Sequence, residues 1–195
     1  MGNKKSTKQS KTIEDLQKAS EALYYEIMML NNCASSLSEC SKNRILFSQF
    51  TVNILIESFC VHLRNLIEFF GKKKTDSDRI TNEHFLPESV NVSYPYNLKK
   101  KYSGKVNNLL SHLTFHRLSY PINQKEWNLN QIANEVNEDI IQFYNKADKH
   151  LLCPKIIEYI NAFQSGDKMQ YNSYTCSTSD ATLPSGTITK FSKES

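Results

Sequence analysis

The chain has 195 residues, 39% of them hydrophobic and 23% charged, which suits a domain with a substantial core plus tails and excludes a low-complexity or fibrous chain. Its net charge of +4 is matched by Lys4, Lys5, Lys8 and Lys11 alone, so the remainder is about neutral and lacks the basic signature of a dedicated nucleic-acid binder. Gly and Pro, five each, are too scarce for a sandwich of short strands, and five cysteines without a C-x-x-C pair exclude a disulfide scaffold and suit a reducing cytoplasm.

Residues 1–11, "MGNKKSTKQSK", carry no apolar period and are expected to form a flexible basic arm. "MGNKKS" fits the Gly2 myristoylation pattern, with Ser6 at the small-residue position. The body of the chain has a bacterial look, and bacteria generally lack the transferase, so contact of the arm with a membrane surface is not expected. From Ile13, apolar or small residues recur at Leu16, Ser20, Leu23, Ile27, Leu30, Ala34 and Leu37. That spacing predicts a long amphipathic helix with Thr12 as N-cap and Asp15 in the first turn, broken at "SECSKN".

A second helix is predicted from about Arg44 to Phe70, stopped by Gly71. It is apolar around most of its circumference, which predicts a central, buried helix; Asn53, Glu57, His62, Arg64 and Asn65 interrupt it and argue against a membrane span. Residues 72 to about 97 form a long connection with one helical turn near Thr81 to Phe85, ended by Pro87; connections of this length are often functional. A third helix is expected over Asn97 to Leu118. A fourth should start near Asn128 or Asn130, turning Leu129, Ile132, Val136, Ile140, Phe143 and Ala147 inward. A fifth, "PKIIEYINAF", opens on Pro154 and closes at Gly166. Of the last 23 residues, 11 are Ser or Thr, so residues 167–195 are expected to be a disordered tail. The expected architecture is all-α: a four- to five-helix up-down bundle over residues 12–166, with the long connection between helices 2 and 3.

Candidate chemistry gathers on helices 2 and 3. Asn53, Glu57, Arg64 and Glu68 fall within about 60° of one another at 100° per residue, while His62, Ser58 and Asn65 lie on a separate flank. Arg64 and Glu68 are spaced to pair directly. In "KVNNLLSHLTFHRL", His112 and His116 share one helix face. Zinc would need a third ligand that no spacing supplies, and Leu113 breaks the H-E-x-x-H pattern, so neither a metal nor a cofactor is expected. Lys99, Lys100 and Lys101 sit at a helix N-terminus, where cations are disfavoured, and are the better lysines for binding an anion. If helices 2 and 3 are antiparallel neighbours, Arg64 and His112 sit at one depth.

"HLRNLIEFF" and "SHLTFHR" resemble a recurrent pattern in small, uncharacterised bacterial helical proteins, over roughly residues 43 to 150. More distantly, Arg64 and Asn65 on an apolar helix resemble the HEPN superfamily, which includes metal-independent ribonucleases of toxin and phage-defence systems. Its motif places a His four to six intervening residues after the Arg, where this chain has Phe69, Phe70 and Gly71. Only Arg64 and Asn65 carry over; "RITNEH", Arg79 to His84, matches literally but falls in the long connection. The resemblance implies RNA, or another phosphate-bearing ligand, as partner. His112 or His62 would act as general base on an RNA 2′-OH, Arg64 would stabilise phosphate charge, and Asn65 and Glu57 would orient both. His116 would add a further contact. The same residues also read as a structural polar seam in a non-catalytic interaction module, partnered by a second copy or another protein.

Overall fold

The computed structural model describes residues 11–43, 48–71, 79–90, 97–107, 128–165, 170–171 and 188–189. Two compact units divide after Cys153. The described residues of the first form α1 (Ile13–Asn43), α2 (Gln49–Gly71), α3 (Asn97–Val106) and α4 (Leu129–Lys146), with 3-10 turns at Asn82–His84 and Lys149–Leu151. The second holds α5 (Pro154–Gln164) and a two-residue antiparallel ladder, Gln170 opposite Thr189 and Tyr171 opposite Ile188. Apart from that ladder, which no apolar period announces, the described chain is all-α.

Side-chain caps set the helix starts. The Asp15 amide donates to Thr12 Oγ1 at 3.1 Å and the Thr12 amide donates back to the Asp15 carboxylate at 3.0 Å, a reciprocal capping box. The Thr12 amide bond, ahead of the hydroxyl contact, holds the Asp15 carboxyl below its ordinary value. Asn128 Oδ1 accepts the Gln131 amide at 3.1 Å and opens α4, as expected. The second helix starts later than Arg44, because Ser48 takes the cap: its hydroxyl accepts the Thr51 amide at 3.1 Å. The break expected at "SECSKN" does not occur, and α1 runs on to Asn43. That stretch holds neither Gly nor Pro, and the modest propensity cost of Ser and Asn is too small to end a helix.

Cross-helix bonds show the up-down arrangement. Asn31 and Asn137 exchange two side-chain hydrogen bonds, 3.1 and 2.8 Å, while Gln17 Nε2 donates to the His150 carbonyl at 3.0 Å, so α1 and α4 run antiparallel. Glu26 meets His62 and Cys33 meets Ser58, so α1 and α2 do too. Lys99 reaches the Gly71 carbonyl, while Val106 lines a groove with Cys60 and Val61, so α3 runs back along α2.

The core of this unit lies between α1, α2 and α4, where Ile27, Leu30, Phe59, Leu63, Leu66, Val136, Ile140 and Phe143 are fully buried. The connection after α2 contributes to it. Its turn at Asn82–His84 carries Phe85 into an aromatic cluster, with ring centroids 6.1 Å from Phe69 and 6.0 Å from Phe143. The Asp148 amide donates to the Phe85 carbonyl at 2.8 Å and ties this turn to the end of α4. Ser20, wholly buried, accepts the Cys153 amide at 2.7 Å and fastens the last residue of the unit to α1.

Candidate functional site

α2 has two unlike faces. Its buried residues, Phe59, Cys60, His62, Leu63, Leu66, Ile67, Phe69 and Phe70, all lie from its middle onward. The outward face carries Phe50, Ile54, Glu57, Val61, Arg64 and Glu68, spaced four, three, four, three and four residues apart and within about 80° around the helix. Phe50 is 74% exposed, Ile54 47% and Val61 56%. Composition alone predicts a helix buried around its circumference. The structure instead covers the inward side with α1 and the flank with α3, leaving a stripe with three large apolar side chains in solvent. By length and composition α2 is also long and apolar enough to cross a membrane.

The polar residues of the helix separate between these faces. His62 points inward: its Nδ1 lies 2.7 Å from Glu26 Oε2, and its ring meets the Tyr25 ring edge-on at 5.6 Å. The cost of burying this imidazole is offset by a bond to the neighbouring helix. Glu57, Arg64 and Asn65 are exposed, so they do not form the buried seam expected of them. Arg64 Nε lies 3.5 Å from Glu68 Oε1, and Glu68 also pairs with Arg79, which follows α2 in the long connection. The two guanidiniums thus meet on one carboxylate. Beside them runs a groove of about 720 Å³, lined by Glu57, Cys60, Val61, Arg64, Asn65, Glu68, Arg79 and Val106.

This groove gathers Arg64, Asn65 and Glu57 from the sequence expectation, and adds Arg79, Val61 and Val106. Arg79 was visible only as the first letter of "RITNEH". The motif's His84 turns back on its own turn, Nδ1 accepting the Thr81 amide at 3.1 Å, and does not line the groove. His62 is kept from it by its place on the opposite side of α2. His112 and His116 lie outside the described residues, as do residues 1–10 of the N-terminal arm, Gly2 among them.

The lysines expected to bind an anion divide between two places. Lys99 Nζ donates to the Gly71 carbonyl at 3.3 Å and caps α2, an approach for which the missing Cβ of Gly71 leaves room. Lys101 pairs with Glu135 at 2.5 Å, and the same carboxylate accepts the Tyr102 hydroxyl at 2.7 Å. Lys100 and Lys101 together line a cleft apart from the groove, with Glu135, Glu138 and Asp139 as its acidic wall. Burial pushes the Asp139 carboxyl up to about 6, with Glu138 and Glu135 adding like-charge repulsion.

Among the described residues no group of three or more His, Cys, Asp or Glu side chains is placed to hold a metal ion. Cys60 borders the groove, but burial pushes its thiol up to about 12, so it is not a nucleophile at neutral pH. Chemically, the site offers an apolar stripe flanked by a balanced set of two arginines and two glutamates. No protein family, no curated protein and no solved structure matches this chain.

Proposed function

We propose that this chain is a non-catalytic helical interaction module that presents the outer face of α2 to a partner helix. The observation that carries this reading is the seam Phe50, Ile54, Glu57, Val61, Arg64 and Glu68, whose four-and-three spacing is that of a helix built to pack against another helix. Its apolar members stand in solvent, where packing would remove them from water. Large apolar side chains scattered singly on a surface need no explanation, whereas three aligned along about 17 Å of one helix mark an interaction site. A photo-crosslinking phenylalanine analogue at position 50 tests it, with the exposed position Asn145 on α4 as control. The expected result is a discrete covalent protein adduct from position 50, absent from position 145 and lost when Ile54 and Val61 are changed to Ser. No adduct from position 50 overturns the reading.

A second reading, RNA handling of the HEPN type, is favoured by the convergence of Arg64 and Arg79 on Glu68 at the groove edge. Two guanidiniums at that spacing suit a phosphate. The groove also holds Glu57 and Glu68, and none of His62, His84 and His150 lines it, so among the described residues no histidine is placed there as the general base. Cleavage of RNA by the wild type in EDTA, lost in a folded Arg64→Ala variant, would establish this reading over the first.

A further inference from the structure

We infer that the helix seated on the outer face of α2 is α2 of a second copy of this chain, running antiparallel about a two-fold axis near the middle of the helix. The inference rests on the interaction-module reading and adds the partner's identity and orientation.

The seam is self-complementary in one direction only. In a parallel pair, equivalent positions face each other, which would set Glu57 on Glu57, Arg64 on Arg64 and Glu68 on Glu68. Three of six layers would then hold like charges in contact, an arrangement that suppresses pairing. Running the second helix antiparallel, with the axis near position 59, brings position 50 opposite 68, 54 opposite 64 and 57 opposite 61. Each Val61 then meets the stem of a Glu57, and each Ile54 the long apolar stem of an Arg64. Glu57 and the other chain's Arg64 fall in adjacent layers, so the pair forms twice across the axis. Phe50 at one end lies beside Glu68 of the other chain, where the Arg64–Glu68 pair supplies a guanidinium for its ring.

The geometry leaves room for this. Glu57, Val61, Arg64 and Glu68 are lining residues of the open groove between α2 and Val106 of α3, so a helix laid along the seam enters a trough of about 720 Å³. The exposed Phe50 and Ile54 lie outside that groove, at the N-terminal end of the seam, where the antiparallel partner leaves the trough. A lipid surface is the less fitting occupant, because it offers no counter-charge to Glu57, Arg64 and Glu68 spaced along the same line. The seam is about 27 Å long, shorter than the contact of a permanent dimer, so association in the micromolar range is expected.

The test uses the full chain and two exposed charge reversals, Glu57→Arg and Arg64→Glu, each checked for an unchanged melting curve. Sedimentation equilibrium across roughly 1 to 200 µM, the span in which such an interface titrates, should take the wild type from one chain mass to two. Each reversal should weaken self-association about tenfold or more by placing like charges across the axis. Mixed in equal amounts, the two reversed chains should form a heterodimer. The Glu57→Arg chain is positive at both seam positions and the Arg64→Glu chain negative at both, so opposite charges again meet across the axis. A wild type that stays monomeric, or reversed chains that fail to rescue each other, overturns the inference. The position-50 crosslink separates this failure from that of the underlying reading. An adduct with a different protein keeps the module and removes the self-pair, and no adduct removes both. Flotation of the chain with phosphatidylcholine–phosphatidylglycerol vesicles, lost in Phe50→Ser, would assign the face to lipid and also overturn the inference.

Discussion

At the residue scale, single polar side chains make decisions that apolar patterning cannot. Ser20 sits on the inward line of α1 and is fully buried, and its hydroxyl both donates to the Gln17 carbonyl and accepts the Cys153 amide, each at 2.7 Å. Ser20→Ala removes the acceptor and leaves a buried amide unpaired, so the expected loss is about 1–3 kcal/mol, read from denaturant midpoints at unchanged slope. Asp139 works in the opposite sense. Its carboxyl, pushed up to about 6 by burial, binds a proton more tightly in the folded protein than in the unfolded chain, where its value is near 3.8. Its ionised form therefore costs stability, fully above about pH 6 and not at all below about 3.8. Asp139→Asn should raise the melting temperature at pH 7.5. The gain should be on the order of 1 kcal/mol, since the half-exposed carboxyl is partly screened by water. Melting curves between pH 4 and 8 should show it shrinking as pH falls through 6; a gain that grows toward acid would contradict the burial of this group.

At the element scale, the helices meet through specific polar registers as well as through the core. The doubly bonded Asn31–Asn137 pair is part-buried and fixes how far α1 and α4 slide past each other. Asn137→Leu is expected to cost about 1–2 kcal/mol, because Asn31 loses both cross-helix bonds and keeps the Ile27 carbonyl as acceptor. Changing both asparagines to Leu should cost less than the sum of the single changes, which a double-mutant cycle measures. Much of this architecture is legible in the chain: the three-and-four spacing after Ile13, the Asn128 cap, the turn before Pro87 and Pro154 opening the last helix all stand where the residues put them. The Ser48 start was not legible, since it is settled by a cap bond worth about 1 kcal/mol among several competing Ser and Asn side chains, and the α1 extension was not because the small propensity costs of Ser and Asn do not mark an end. For the candidate site, Glu57, Arg64 and Asn65 were legible as a group, but their exposure was not. Hydrophobicity around a helix states what would gain from being covered, and only the packing of α1 and α3 decides which side is.

At the scale of the whole molecule, the long connection acts as part of the core. Phe85, carried there by the turn after α2, closes an aromatic cluster with Phe69, Phe70 and Phe143, and the Asp148 amide holds its carbonyl. The first two helices touch through residues close in sequence, Glu26 with His62, whereas Asn31 and Asn137 are 106 residues apart. Closing the short loop costs far less chain entropy than bringing α4 home, so assembly is expected to begin at the α1–α2 pair and to finish with Phe85 and α4. Leu63→Ala and Ile140→Ala should each destabilise by about 2–5 kcal/mol, yet differ in kinetics. The former should act mainly by slowing refolding, and the latter mainly by accelerating unfolding. Stopped-flow chevrons would read the difference directly. While α4 is still to arrive, Phe69 and Phe70, which later meet Phe143, stand open to water together with the outer face of α2, and the nascent hairpin is then the species most exposed to aggregation.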